Sequence, residues 1–323
     1  MSRVLTGIQS TGVPHLGNLL GAIIPAIDMA NKGENESFLF IADLHSLTAI
    51  KDGVLLRENT YAVASAWLAF GLNPDKTVFY RQSDVPEVTE LAWYLMCYFQ
   101  YNRLMLAHSF KDKADRMQDV NAGLFSYPML MAADILMYDA EKVPVGKDQL
   151  QHLEMTRDVA QKINAHIGKD LFVLPEAVVQ QEVQIIPGTD GEKMSKSRNN
   201  FIDIFLPEKE LRKQVMKIET DSTPMEDSKD PEKCNVFTIY KLIGSSTQIE
   251  ELAQKYRAGN FGYGHAKQAL FELIMEKYKV QRERFNYFIT HKEEVDDILG
   301  KGAEKAKQIA YKTLFRVRRE LGY

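Results

Sequence analysis

Lys193, Met194, Ser195, Lys196 and Ser197 follow one another in this chain, so two ammonium groups and two hydroxyls fall within five residues. Far upstream lies Thr11-Gly12-Val13-Pro14-His15-Leu16-Gly17-Asn18. Ammonium groups, an imidazole and the backbone N–H groups of a helix start can stabilise negative charge as it spreads over phosphates. Gly12 and Gly17 carry no Cβ and allow close backbone approach to a nucleotide. Alone, the lysine string reads more readily as a solvated basic loop, and the octapeptide equally as an ordinary strand–turn–helix connection. In this order, about a domain apart, they suggest one reaction: activation of a carboxylate by ATP, with pyrophosphate as leaving group. The substrate carboxylate is then the nucleophile, and the protein contributes positioning and electrostatics.

Asp134 is a further candidate. It sits between Met131-Ala132-Ala133 and Ile135-Leu136-Met137. A carboxylate in such surroundings costs several kcal/mol unless it is paired. It reads either as a structural group satisfied by a backbone N–H or hydroxyl, or as an acceptor for a substrate N–H. His45 follows an apolar segment at the end where α/β sheets place their site residues.

The elements that must hold these residues follow from periodicity. Residues 3–9 read as a buried strand and 17–31 as a helix, with Leu19, Leu20, Ile23, Ile24 and Ile27 at helical spacing. Residues 37–42 form a second, nearly all-apolar strand, as expected when both faces are covered. A helix over 55–70, a strand over 77–80 and a helical region from about Val88 continue the alternation. This predicts an α/β fold: a doubly wound parallel sheet, Rossmann-like, followed by a smaller all-helical domain. The polar stretch 111–121 reads as a loop or frayed helix. Pro187-Gly188-Thr189-Asp190-Gly191 is rich in turn formers and marks the end of the α/β part. The expected division is 1–186, 187–292 and a C-terminal helix over 293–323 that packs back on the first unit. Because the lysine string follows a junction, its lysines are expected to reach ATP only when the two halves close.

Composition limits the alternatives. The 323 residues are 45% hydrophobic and 26% charged, the profile of a globular chain. The two cysteines, Cys97 and Cys234, exclude a disulfide framework and fit a reducing cytoplasm. No apolar run approaches the roughly 18–20 residues that span a bilayer. A net charge of −4 argues against binding nucleic acid by bulk field, but leaves room for a local basic patch.

On these residues the chain resembles the class I aminoacyl-tRNA synthetases. His15-Leu16-Gly17-Asn18 is similar to that family's first motif, with Asn18 where the motif has a second histidine. Residues 193–197 match its second motif letter for letter. Tyr127-Pro128-Met129-Leu130-Met131-Ala132-Ala133-Asp134-Ile135-Leu136 and Val143-Pro144-Val145-Gly146-Lys147-Asp148-Gln149 narrow the resemblance to the bacterial tryptophanyl-tRNA synthetases. Lys147 stands where that family usually has an acidic residue.

The resemblance implies that ATP and L-tryptophan form tryptophanyl-AMP, which then passes to tRNA(Trp). Mg²⁺ would ride on the phosphates, with no metal ligand from the protein. It implies catalytic roles for Lys111, Lys193 and Lys196. The ATP site would comprise Gln9, Ser10, Thr11, His15, Gly17, Asn18, Gly146, Lys147, Asp148, Ile185, Lys193, Met194, Ser195, Lys196 and Ser197. Within it, Asp148 would bind the ribose and Ile185 would pack near the adenine. In the tryptophan pocket, Asp134 would accept from the indole N–H. Leu5, Gly7, His45, Tyr127, Met131, Val143 and Gln149 would complete that pocket, although Leu5 and Val143 read equally well as plain core. A cytoplasmic homodimer with no membrane or DNA partner is implied too, and the apolar run around Trp93, Tyr94, Leu95, Met96, Tyr98 and Phe99 reads as interface or as core.

Three rivals remain at this point. Tyrosyl-tRNA synthetases share the fold and both motifs, and use the same kind of acidic residue for a phenol. A simple adenylyltransferase would be shorter and lack the helical half. A non-catalytic paralogue that senses tryptophan or binds RNA would have no need of intact lysines beside Asp134.

Overall fold

The computed structural model describes residues 1–107, 120–179 and 186–323. Lys111 and Ile185, both expected at the ATP, lie outside the described residues.

Five parallel strands form one sheet in the order β3-β2-β1-β4-β5. They are β1 (Arg3–Ile8), β2 (Glu36–Ile41), β3 (Thr77–Arg81), β4 (Lys142–Val145) and β5 (Glu176–Val179). The chain steps outward from β1 to β3, then returns to lay β4 beside β1. Beyond the carboxyl ends of β1 and β4 lies the crevice where open α/β sheets bind ligands.

The register explains why β2 is apolar almost throughout. Leu39 pairs with Phe79 and, like Ile41, enters a core with Leu16, Ile23 and Trp67. The intervening Phe38 and Phe40 enter a second core with Leu5, Met129 and Ile135 on the opposite face. Both faces are therefore covered, and alternation of side chains along each strand feeds the two layers.

The helix expected over 17–31 is three joined pieces: α1 (Leu16–Asn18), a π-helical segment (Leu19–Ile23) and α2 (Ile24–Lys32). Pro25 supplies the reason. It has no N–H to return to the preceding turn, and its ring crowds the carbonyl of residue i−4. The wider π turn relieves that crowding, with the Ile24 N–H bonded to the Leu19 carbonyl. Around the sheet follow α3 (Asp43–Ser46), α4 (Gly53–Ala69), α5 (Glu87–Tyr98), α6 (Tyr101–Met105), α7 (Ala122–Met137) and α8 (Leu150–Ile167). The second half contains α9 (Glu208–Met216), α10 (Asn235–Ile243), α11 (Ser246–Ala258), α12 (Tyr263–Lys277), α13 (Lys279–Thr290) and α14 (Lys292–Leu321).

The halves share apolar packing. One buried cluster runs from Leu16, Ile23 and Trp67 through Ile204 and Leu211 to Phe237, Val295 and Leu299. The C-terminal helix α14 covers the free edge of β3, which would otherwise offer unpaired backbone groups. It is held there by an Arg81–Asp296 ion pair, by Arg316 on Asp139 at 2.7 Å, and by Arg318 on Glu90 at 2.7 Å. Along α5, Leu91 and Leu95 are buried while Trp93 is 62% exposed.

Contact between α14 and the strand depends on Gly302. A Cβ there would stand 1.8 Å from the Phe79 carbonyl oxygen, whereas one at Gly300, two residues earlier, meets nothing within 4 Å. Gly302→Ala is therefore expected to destabilise the protein by about 1–3 kcal/mol through overpacking. Gly300→Ala should stabilise it by about 0.5–1 kcal/mol through helix propensity. Urea unfolding of the two variants checks this, and equal midpoints would mean that α14 does not pack so closely. Among the described residues, no helix is long and apolar enough to cross a membrane.

Candidate active site

A cavity of about 400 Å³ opens at the carboxyl ends of β1 and β4. Its size lies within the range of small-molecule sites, about 300–1,000 Å³. Of the residues expected for tryptophan, Leu5, Gly7, His45, Met131, Asp134, Val143 and Gln149 line it. Of those expected for ATP, Gln9, Thr11, Asn18, Gly146 and Lys196 line it too. Residues far apart in the chain thus meet in one space.

Asp134 projects from α7 and is buried, with Leu5, Phe40, Met131 and Ile135 also in the cavity wall. Gln82, which follows β3 and is equally buried, donates from Nε2 to both carboxylate oxygens at 3.0 and 2.8 Å. The orientation of that amide is forced, because its Oε1 accepts from the His45 backbone N–H at 3.1 Å. Burial pushes the Asp134 carboxyl well above its ordinary range, the Gln82 hydrogen bonds oppose this, and the charge of Asp43 adds to it. The His45 ring contacts Gln9 at 3.2 Å and stacks on Tyr127 at 4.5 Å. Tyr127 therefore supports the pocket from behind His45.

The glycine turn and the lysine string meet at the other part of the cavity. Gly12 has φ +127°, a conformation L side chains rarely adopt, and a Cβ there would lie 3.0 Å from Lys196 Nζ. Only glycine lets the ammonium come so close to the backbone. Lys196 borders the cavity together with Gly12, so string and turn stand side by side in this structure. Burial lowers the Lys196 ammonium to about 8, against an opposing pull from Asp203. Asp203 is itself raised to about 6, again by burial.

His15 caps the start of α1. Its Nδ1 accepts from the Asn18 N–H at 3.2 Å, and Asn18 Oδ1 accepts from the His15 N–H at 3.3 Å. Asn18, where the motif has histidine, thus closes a reciprocal cap. With Nδ1 accepting, the ring proton sits on Nε2, where it can donate to an anion. Burial, then the charge of Lys196, lowers His15 to about 4, so the ring is neutral near pH 7.

Other expected residues stand outside the cavity wall. Ser10 is buried and bonds the Ser46 hydroxyl at 2.9 Å through its N–H and 3.1 Å through its own hydroxyl. The Gly17 N–H approaches the Met194 sulfur at 3.2 Å, which joins the two motifs through a buried side chain. Ser195 and Ser197 bond each other at 2.8 Å, and Lys147, Asp148 and Lys193 are exposed. Sequence reasoning missed Gln82 and also Asn200, which pins the lysine loop. Asn200 Oδ1 accepts from the Ser195 N–H at 2.7 Å, while its Nδ2 donates to Asp190 at 2.7 Å and to the Lys193 carbonyl at 3.1 Å. Its place three residues beyond the string was the only available signal.

Comparison with known proteins gives one consistent result. Residues 1–279 match the family model of tRNA synthetases class I (W and Y). The tryptophan–tRNA ligase of Fusobacterium nucleatum is 45% identical over 322 residues, covering 100% of this chain and 98% of the relative. That of Campylobacter jejuni is 46% identical over 320 residues, 99% of each chain. The crystal structure of the Campylobacter jejuni tryptophanyl-tRNA synthetase complexed with ADP and tryptophan superposes with a TM-score of 0.96 at 46% identity, covering 99% of this chain and 100% of that one. A tyrosyl-tRNA synthetase from Archaeoglobus fulgidus, with TM-score 0.64 and 20% identity over 88% of this chain and 90% of its own, shares the fold. The parallel sheet, the two motifs joined through Met194 and full-length identity above 40% have one reading: the chain belongs to the class I tRNA synthetases of the tryptophan and tyrosine group.

Proposed function

We infer that this protein is an aminoacyl-tRNA ligase that activates L-tryptophan with ATP and transfers it to tRNA(Trp). The observation that carries the reading is one cavity holding both a buried carboxylate among apolar side chains and a lysine against a glycine turn. Asp134 accepts from the indole N–H, with Gln82 holding its carboxylate in place. The tryptophan carboxylate attacks the α-phosphorus of ATP, and pyrophosphate departs. Lys196, with Lys111 and Lys193, meets the charge that grows on the leaving group, and the His15 Nε2–H donates to a phosphate. Asp148, Gly146 and Lys147 flank the ribose. Thr11, Gly17, Asn18 and the loop 193–197 frame the triphosphate, with Gln9 and Ser10 at the turn before them and Ile185 near the adenine.

Among the described residues, no group of three or more His, Cys, Asp or Glu side chains is placed to hold a metal ion. Mg²⁺ would come with the ATP rather than from a protein ligand set, and would supply charge neutralisation at the phosphates. Exposed cations such as Lys209, Lys213 and Lys217 suit the phosphates of tRNA, which a helical unit over 187–292 would read at a distance. The exposed Trp93 on α5 suits a homodimer contact. Cys97 and Cys234 are free thiols, in keeping with work in the cytoplasm.

Tyrosine remains the competing substrate class. ATP–pyrophosphate exchange with each amino acid decides between them. Tryptophan is expected to support exchange and tyrosine to stay at the rate without amino acid. Preference for tyrosine, or no exchange with either, would overturn the reading.

A further inference from the structure

We propose that His152 is a positioning residue that joins the amino-acid pocket to the ribose end of the cavity by holding Tyr127 and, through Gln149, Asp148 at once. The proposal rests on the assignment of those two ends given above. His152 lies in the first turn of α8 and is 1% exposed. Its Nε2 is 2.9 Å from the Tyr127 hydroxyl, and its Nδ1 is 3.0 Å from Oε1 of Gln149. A carboxamide oxygen can only accept, so Nδ1 carries a proton. With a single proton on the ring, Nε2 accepts from the tyrosine hydroxyl.

Gln149 is fixed in turn. Its oxygen faces His152, and its Nε2 donates to Asp148 Oδ2 at 2.9 Å. Turning the amide over would set oxygen against the carboxylate oxygen and NH₂ against the imidazole N–H. Asp148, Gln149, His152 and Tyr127 therefore share one arrangement of donors and acceptors. That arrangement extends to the cavity at both ends, because Gln149 lines it directly and Tyr127 stacks at 4.5 Å on His45, which lines it as well. The imidazole itself stays out of the cavity wall, so its effect passes through its two neighbours.

Two substitutions separate the two bonds. His152→Asn places an amide N–H about where Nδ1 stands, which keeps the donor to Gln149 and removes the Nε2 bond to Tyr127. His152→Gln reaches the position of Nε2 instead and gives up the donor to Gln149. In pyrophosphate exchange, His152→Asn is expected to raise the tryptophan KM about tenfold, the effect of one buried hydrogen bond, and to change the ATP KM by less than about threefold. His152→Gln is expected to raise both, since Gln149 then loses its hold on Asp148. Tyr127→Phe should cost about tenfold in tryptophan KM in the natural chain and less than about twofold in the His152→Asn background, because the shared bond is already gone. Equal rises in both KM values for His152→Asn, or the same Tyr127→Phe cost in both backgrounds, would reduce His152 to a packing residue and overturn the proposal. If His152→Asn fails to fold, Tyr127→Phe alone decides: an unchanged tryptophan KM overturns it. Absence of exchange in the natural chain would instead count against the function itself.

Discussion

Lys196→Ala is expected to lower kcat for adenylate formation by about 10²–10³ while moving the tryptophan KM by less than about threefold. The ammonium borders the cavity beside Gly12, and none of the residues assigned to the amino acid belongs to its motif. Its contact strengthens as charge develops on pyrophosphate, so its loss falls on the transition state rather than on tryptophan binding. A pH signature accompanies it. Burial brings the lysine down to about 8 before ATP binds, and the phosphates favour its charged form. ATP binding above pH 8 must therefore take up a proton, so affinity should weaken as pH rises from about 8 toward the unperturbed range near 10.4. Calorimetry in two buffers of different ionisation heat reads that proton directly. The alanine variant should show none of it. Equal losses of rate and tryptophan affinity would give Lys196 a structural role instead.

Asp134→Asn is expected to lower kcat/KM for tryptophan by about 10–100-fold, the range for a hydrogen bond to a charged group. The same change should make the ligand-free protein more stable at neutral pH. Asp134 is buried, and its carboxyl is raised well above 3.8, first by burial and then by the Asp43 charge, with Gln82 pulling the other way. An acid whose folded-state pKa is raised binds more protons folded than unfolded, so it lowers stability as pH climbs through the folded value. The cost is absent in acid and fully present above that value. The Tm advantage of the variant should thus grow as pH rises above the ordinary carboxylate value of 3.8 and vanish as pH falls toward it. A constant Tm difference across pH, or unchanged kcat/KM, would remove Asp134 from this role.

Much of the sheet was legible because β1, β2 and β3 are apolar runs that feed two cores. β4 and β5 were not, since Lys142-Val143-Pro144-Val145 and Glu176-Ala177-Val178-Val179 are four residues long and carry a charge each, with a proline in the first. Helix α7 is apolar on nearly every side, so no helical stripe stood out, and Pro128 lies within it. The π segment depends on Pro25, a residue readable in sequence, but the way a helix yields to proline is decided by packing.

The site shows the same division. Asp134 and Lys196 were legible because each breaks its surroundings: a carboxylate in an apolar string, a cation in a motif. Gln82 sits in the polar run Arg81-Gln82-Ser83-Asp84, and nothing in one dimension points to a partner 52 residues away. His152 likewise looks like an ordinary helix residue until Tyr127 is folded against it. Polar residues that orient other polar residues leave no periodic or compositional trace.

The central claim is that the cavity recognises an aromatic N–H through Asp134. It is tested most directly with an analogue of tryptophan whose ring N–H is replaced by sulfur, β-(3-benzothienyl)alanine. The analogue keeps the shape and loses the donor. A site built around a substrate N–H rejects such an analogue by about 10⁴–10⁵, because its own buried acceptor is left without a partner. In ATP–pyrophosphate exchange, kcat/KM for the analogue should fall below that for tryptophan by about this factor. Values within about tenfold of each other would mean that shape alone selects the substrate, and would contradict the assignment of Asp134.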